Sequence, residues 1–317
     1  MRDPREPLLR AAAINRPGMS LKAVEEGEID TRVSEPKALV SICIPVYNGR
    51  RLLRETIESV RKQTYENIEI LVQDNCSTDG TWELLESLAQ EDSRISIQRN
   101  AFNAGMARNW NLVLKRARGE FLLLLSADDL LFPDFVERSI GQLVTSKADI
   151  VTANHLLILD SGERRRRVFI SEGSYRGFSS LVLAANPFSI NFTIFPRRTY
   201  ELLNRPRGLF REDIYTCDYD LWFRVDSKKL SVFYQATPLG KYRVHEGNLS
   251  RNVRKMQRQT ALVLLARQHV LGANHSLAFK ATMVRFILRV LYRGAQAGTV
   301  DRRLLRVLTS RVVGRRS

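Results

Sequence analysis

The run Phe121-Leu122-Leu123-Leu124-Leu125 leads through Ser126-Ala127 into two adjacent carboxylates, Asp128 and Asp129. Carboxylates do not stay unpaired in an apolar interior, so this pair must stand where the apolar strand ends. Open α/β sheets bind ligands at that edge, and two hard anionic oxygen donors there suit a divalent cation that carries phosphates. The same residues can instead open a helix, one capping backbone N–H groups and the other favouring the dipole. Two further segments bring polar groups to the end of an apolar run. In Pro45-Val46-Tyr47-Asn48-Gly49 the chain must turn sharply; Gly49 tolerates positive φ, and Asn48 can hydrogen-bond a base. In Asp74-Asn75-Cys76-Ser77-Thr78-Asp79-Gly80-Thr81, Asp74 can accept from a base imide N–H or a ribose hydroxyl, whereas Ser77 and Asp79 suit capping of the next helix.

The elements that position these groups follow from periodicity. Apolar runs predict strands over 38–46, 68–72, 95–98, 121–125 and 149–153. Amphipathic spacing predicts helices over 50–62, 81–89, 106–117 and 133–144. This alternation indicates a doubly wound, mostly parallel sheet. After residue 154 it is lost. Segments 156–159 and 167–170 flank Asp160-Ser161-Gly162-Glu163, which reads as a hairpin turn, and the Arg164–Arg167 run reads as a solvated rim. Residues 178–250 read as a second lobe over the carboxyl edge of the sheet, and residues from 251 onward as helical, with breaks at Gly272 and Gly294.

The net charge of +16 is unevenly placed. Residues 251–317 hold fifteen Lys/Arg and one acid, Asp301, while the preceding 250 residues hold 35 basic and 33 acidic groups. The basic character therefore belongs to a C-terminal extension. Its stretch around Lys280, Arg285, Arg289 and Arg293, interleaved with Phe279, Phe286, Ile287, Leu288 and Tyr292, reads as a basic amphipathic helix. Such a helix can lie on an anionic membrane surface or pack on the body of the protein. Cys43, Cys76 and Cys217 are far apart and form no CxxC pair, which fits a reducing cytoplasm. The N-terminus has no apolar h-region, and no window has the ~18 uncharged apolar residues of a spanning helix.

Five pieces in order resemble the family 2 glycosyltransferases of GT-A fold: residues 41–49, residues 74–81, Asn103-Ala104-Gly105 with Arg108-Asn109, Gly119-Glu120-Phe121, and Ser126-Ala127-Asp128-Asp129. Thr216-Cys217-Asp218-Tyr219-Asp220-Leu221-Trp222 and Tyr242-Arg243-Val244-His245-Glu246-Gly247-Asn248-Leu249-Ser250 extend the resemblance over residues 38–250. It implies an α/β, GT-A, Rossmann-like sheet flanked by helices over 37–250, with a nucleotide-sugar half (37–154) and an acceptor and base half (155–250). An unstructured arm (1–36) precedes this domain, and a helical basic extension (251–317) follows it. It further implies inverting transfer of a sugar from a nucleotide-diphosphate donor to an acceptor hydroxyl, in bacterial polysaccharide or glycolipid assembly at the cytoplasmic face of the membrane. The donor would be UDP-linked, with GDP- or dTDP-linked sugars as alternatives; the acceptor would be a glycan or lipid-linked, and Mg²⁺ or Mn²⁺ the cofactor.

The implied roles fall on individual residues. Donor contacts would be Pro45, Tyr47, Asn48, Asp74, Asn75, Arg108, Asp128 and Arg243. Metal ligands would be Asp128, Asp129 and His245, and the catalytic base Asp218, with Asp220 left to cap the helix. Two positions depart from the family pattern: the first acid of the usual DxD is Ser126, and the acid that usually precedes the base is Cys217. These departures motivate a competing reading, an inactive sugar-nucleotide-binding module. The basic extension motivates another, nucleic-acid binding, which the near-neutral body, without aromatic-basic interleaving of its own, opposes.

Overall fold

The structure is a computed structural model that describes residues 38–159, 161–165, 170–179, 181–182 and 186–248, together with 256, 259–261 and 288. The expected arm (1–36), residues 166 and 167 of the expected arginine rim, residues 167–169 of the expected hairpin strand, and nearly all of the basic extension lie outside the described residues. Among the described residues no helix is long and apolar enough to cross a membrane.

The chain alternates β1 (Val40–Val46), α1 (Leu53–Arg61), β2 (Ile68–Asp74), α2 (Thr81–Glu91), β3 (Ile95–Arg99), α3 (Met106–Arg116), β4 (Phe121–Leu124), β5 (Leu130–Leu131), α4 (Phe135–Ser146) and β6 (Ile150–Leu159). There follow β7 (Gly162–Arg165), β8 (Gly173–Tyr175), β9 (Thr193–Pro196), α5 (Arg197–Leu203), α6 (Cys217–Ser227) and β10 (Val232–Arg243). Each predicted strand and helix up to residue 153 is present, with ends displaced by a few residues. β6 runs six residues beyond its predicted end and pairs with β7; the hairpin is tighter than expected, because Gly162 and Glu163, assigned to the turn from the sequence, already belong to the returning strand. Arg164 is exposed on β7.

Within one mixed sheet the strands lie in the order β3-β2-β1-β4-β9-β6-β10-β5, with β7 beside β6 and β8 beside β10. β3, β2, β1 and β4 are mutually parallel, and β6 and β10 are parallel to each other. β9 is antiparallel to both β4 and β6 and joins the two parallel groups. The expected separate lobe over the sheet is thereby corrected, because residues 193–196 and 232–243 are strands of the same sheet. Pairing partners far apart in the chain decide this, and four-residue β9 carries no periodic signal of its own.

The pleat assigns alternate residues to opposite layers. Ile42 and Ile44 pack with Leu53, Ile57 and Val60 of α1, whereas Cys43 packs on the other face with Val113 and Leu114 of α3 and Trp222 of α6. Pro45 is buried within β1, an unusual place for a residue without an N–H donor. Cys43 O accepts from Leu125 N on the β4 side, so position 45 faces that side too, beyond Leu124 where β4 has ended. Its missing donor therefore breaks no ladder bond.

One glycine holds the short β5 in place. Gly240 of β10 pairs with Leu131, and a Cβ there would come within 2.6 Å of Leu130 O and 2.4 Å of the Phe192 ring. A backbone carbonyl cannot rotate aside as a side chain can, so Gly240→Ala should cost about 1–3 kcal/mol. A lowered midpoint in denaturant titration would register this loss. An unchanged midpoint would show that β5 moves freely.

Candidate functional site

The turn after β4 is held from α1. Thr56 Oγ1 donates to Ala127 O at 3.0 Å, and Ser59 Oγ accepts from Leu131 N at 3.2 Å. Within this turn the two carboxylates face opposite ways. Asp129 is fully buried; its Oδ1 accepts from Arg243 N at 2.9 Å and its Oδ2 from Asn191 Nδ2 at 2.6 Å. Burial, then the neighbouring Asp128 charge, push its pKa well above the usual carboxylate range. Asp129 thus braces the end of β10 and turns away from the edge where a ligand role was expected.

Asp128 remains at that edge, about one quarter exposed, with His245 Nε2 2.9 Å from its Oδ2. Gly247 N donates to His245 Nδ1 at 3.2 Å, so in the neutral ring the proton sits on Nε2 and points at Asp128. Asn248 closes the loop: it accepts from His245 N, donates to Arg243 O at 3.1 Å, and reaches Asp128 Oδ2 at 3.4 Å. The Arg243 guanidinium donates to Asp128 O at 3.0 Å and to Glu55 of α1 at 2.8 Å. It therefore fastens the β10 end to the turn and to α1. Among the described residues no three His, Cys, Asp or Glu side chains converge on one point.

The loops after β1 and β2 form a second group at the same edge, since Val46 pairs with Asp74 in parallel register. After β1 the left-handed residue is Asn48 (φ 52°), not the expected Gly49. Asn48 accepts from Thr78 N at 2.9 Å, and its own N donates to Ser77 Oγ at 2.8 Å. Gly49 is required for space, because a Cβ would lie 2.5 Å from Val46 Cγ2. Asp74 is fully buried; it accepts from Ser77 N and Oγ and pairs with Arg99 Nε at 3.2 Å. Ser77 thus bonds Asp74 and Asn48 and does not cap α2, while Asp79 accepts from Thr81 N at 3.1 Å and Arg50 N at 3.1 Å. Asn75 joins Asn100, Asn103 and Ala104 in an amide network that fixes the loop ahead of α3. Among the side chains this loop group leaves exposed are Tyr47 (51%), Phe102 (60%) and Arg108, whose guanidinium lies 5.8 Å from the Phe102 ring centroid.

Asp218 stands in the first turn of α6, partly exposed, with Trp222 one turn on, fully buried and stacked against Phe195 of β9. Desolvation pushes the Asp218 carboxyl up to about 6, against the pull of backbone N–H groups at Tyr219 and Asp218 itself. Asp220 does not cap the helix as expected. It is fully buried and paired with Arg224 at 3.1 Å and, more distantly, with Arg205 at 3.8 Å. Arg224 also donates to Leu203 O and Leu209 O. Arg224→Met would strand the buried Asp220 charge without its nearer cation, at a cost of about 3–5 kcal/mol. The expected reading is a fall in the thermal midpoint that Asp220→Asn in the same chain partly reverses.

Glu55, Asn191, Arg99 and Asn248 were not identified from the sequence as parts of this edge. Only Asn248 left a trace, since it falls within the segment 242–250; the others are single polar residues inside predicted elements or an unassigned stretch.

A mixed sheet whose parallel strands end in an acid–imidazole pair on one side and a braced polar loop group on the other is the GT-A architecture. Residues 41–203 match the family model of Glycosyl transferase family 2, and the chain belongs to that family. An uncharacterized glycosyltransferase of Rickettsia typhi is 34% identical over 66% of this chain, and the match spans 64% of that protein, less than two thirds of its length. The Escherichia coli UDP-Glc:alpha-D-GlcNAc-diphosphoundecaprenol beta-1,3-glucosyltransferase WfaP is 29% identical over 68% of this chain and 80% of its own. The mannosyltransferase PcManGT of Pyrobaculum calidifontis, solved with GDP-Man and Mn²⁺, shares the fold with a TM-score of 0.57 at 17% identity, over 88% of this chain and 81% of that one.

Proposed function

We propose that this protein is an inverting glycosyltransferase that moves a sugar from a nucleotide-diphosphate donor to the hydroxyl of a lipid-linked or glycan acceptor. The observation that carries the reading is the contact between Asp128 and His245, two donors 117 residues apart in the chain that meet at the carboxyl edge of the sheet. One carboxylate oxygen and one imidazole nitrogen suit Mn²⁺ or Mg²⁺ when phosphate oxygens and water complete the shell. Asp128 and His245 would hold that ion, with Asp129 as an inward brace, and the ion when bound would neutralise the departing diphosphate. His245 must first transfer its proton from Nε2 to Nδ1 and give up the Gly247 contact. The Mn²⁺ in the PcManGT structure supports the assignment.

Asp218 takes the acceptor hydroxyl proton as the new C–O bond forms at the anomeric carbon and the bond to the diphosphate breaks. The proton ends on the Asp218 carboxylate, and the nucleoside diphosphate leaves. A carboxyl raised towards 6 by desolvation is a better base than an ordinary aspartate and is still ionised at pH 7 to 8. Tyr47, Asn48 and Arg108 form the donor-side rim, with Asp74, Asn75 and Arg243 as supports behind it. The donor named for WfaP is UDP-linked and that in the PcManGT structure GDP-linked, so the base is left open among UDP, GDP and dTDP. The diphosphoundecaprenol acceptor named for WfaP supports glycolipid or polysaccharide assembly, with the basic extension at the inner membrane face.

The test is release of nucleoside diphosphate from a panel of UDP-, GDP- and dTDP-sugars, with Mn²⁺ and with EDTA. Slow hydrolysis of one donor, lost in EDTA, is expected. No hydrolysis of any donor would favour the inactive binding module.

A further inference from the structure

β10 ends at Arg243, and Val244 N donates to Ile158 O at 2.9 Å, so pairing with β6 stops one residue short of His245. Beyond that point Asn248 holds the loop. Its Oδ1 accepts from His245 N, and its own N donates to His245 O at 3.1 Å, so one residue engages both backbone groups of His245. The two protons of its side-chain amide go to Arg243 O at 3.1 Å and, less closely, to Asp128 Oδ2 at 3.4 Å. These partners fix the orientation of the amide: His245 N can only donate, so Oδ1 faces it and Nδ2 faces the two oxygens.

These contacts differ from the others around His245 in what an ion would do to them. The Gly247 N contact to His245 Nδ1 and the Nε2 contact to Asp128 both depend on the tautomer of the ring. The bonds from Asn248 to the His245 backbone do not, and they persist when the ring moves its proton to Nδ1. On Asp128, Oδ2 receives both the imidazole and the Asn248 amide, while Oδ1 has no hydrogen-bond partner among the described residues. With Asn248 still at Oδ2, the carboxylate keeps its orientation after the imidazole has turned to an ion.

We propose that Asn248 is the positioning residue of the ion site, holding His245 and Asp128 at the spacing a divalent cation needs; the proposal rests on the metal reading above. Only two protein donors are available there, and one stands on a loop. Affinity then depends on how little freedom that loop has left to lose when the ion arrives. Residues that orient metal ligands typically contribute 10–100-fold to metal affinity.

The test is calorimetry on the full chain with uridine, guanosine and thymidine diphosphate in turn, each in Mn²⁺ and in EDTA. The probe kept is the one that wild type binds most tightly, and the readout is the gain in its affinity from Mn²⁺. Asn248→Ala should cut that gain about tenfold, or abolish a smaller one. Affinity in EDTA and the circular dichroism melt should stay near wild type, because Asn248 is a partly exposed loop residue. In a His245→Gln background the same substitution should cost less, since the ligand it positions is gone. A full gain in Asn248→Ala, an equal loss of affinity in EDTA, or the same factor lost beside His245→Gln would each overturn the proposal. A wild type that gains nothing from Mn²⁺ with any of the three diphosphates would sink the metal reading itself, and the proposal with it.

Discussion

Asp218→Asn should lower transfer turnover by at least ~10² while donor affinity stays near wild type, since a general base contributes about 10²–10⁴ and acts on the acceptor. The pH profile supplies an independent signature. Only the ionised carboxylate can take the proton, so kcat/KM of wild type should rise about tenfold per pH unit below about 6 and level above it. In the variant that limb should vanish. If donor affinity collapses instead while turnover survives, Asp218 is structural and the base lies elsewhere.

The same residue should leave a mark on stability, with a definite sign. Desolvation raises the folded-state pKa of Asp218 from its ordinary 3.8 to about 6. The protonated form therefore favours the folded state, fully so below about pH 4, and this contribution is lost as pH rises through about 6. At pH 8 the ionised group is a net cost, and Asp218→Asn should raise stability by on the order of 2 kcal/mol. Below pH 4 the variant should gain nothing. A gain of equal size at both pH values would show that asparagine helps through packing, with no part for the charge.

The second large effect is expected at Asp128. Asp128→Asn removes the one anionic donor of the acid–imidazole pair while Asp129, Arg243 and Asn191 keep their mutual hydrogen bonds. Transfer should fall by about 10²–10³, the scale at which a preorganised electrostatic group acts. Calorimetry of nucleoside diphosphate binding gives a readout besides activity: wild type should bind more tightly with Mn²⁺ than with EDTA, and the variant equally in both. The melt should shift by less than about 1 kcal/mol, because the Asp128 side chain is partly exposed. Full Mn²⁺ dependence in the variant would take Asp128 out of the metal site.

Much of the first half of the fold could be read from the chain. Runs such as Val40-Ser41-Ile42-Cys43-Ile44 and Leu122-Leu123-Leu124 are buried because alternate side chains reach two hydrophobic layers. α1 and α3 show helical spacing because only one face of each packs on the sheet. Such patterns are local consequences of burial and survive without knowledge of partners. By the same logic the strand ends at residues 46, 74 and 124 located the polar edge, since desolvation excludes free carboxylates from the strands.

The sequence by itself therefore determined an α/β sheet, the polar edge at its strand ends, and a short set of acids placed there. Which acid stays exposed at that edge was decided only by tertiary structure. Asp128 and Asp129 are adjacent in a turn, where no period assigns faces, and Asn191 and the Arg243 backbone draw one of them inward from 62 and 114 residues away. Asp74 is claimed in the same way by Arg99 of the neighbouring strand. The insertion of β9 between β4 and β6 is of this kind too, because strand pairing joins segments whose patterns are silent about each other. Hydrophobic periodicity is a one-body property of each segment. The partner of a carboxylate, like the neighbour of a strand, is a property of pairs, and it exists only once the chain has folded.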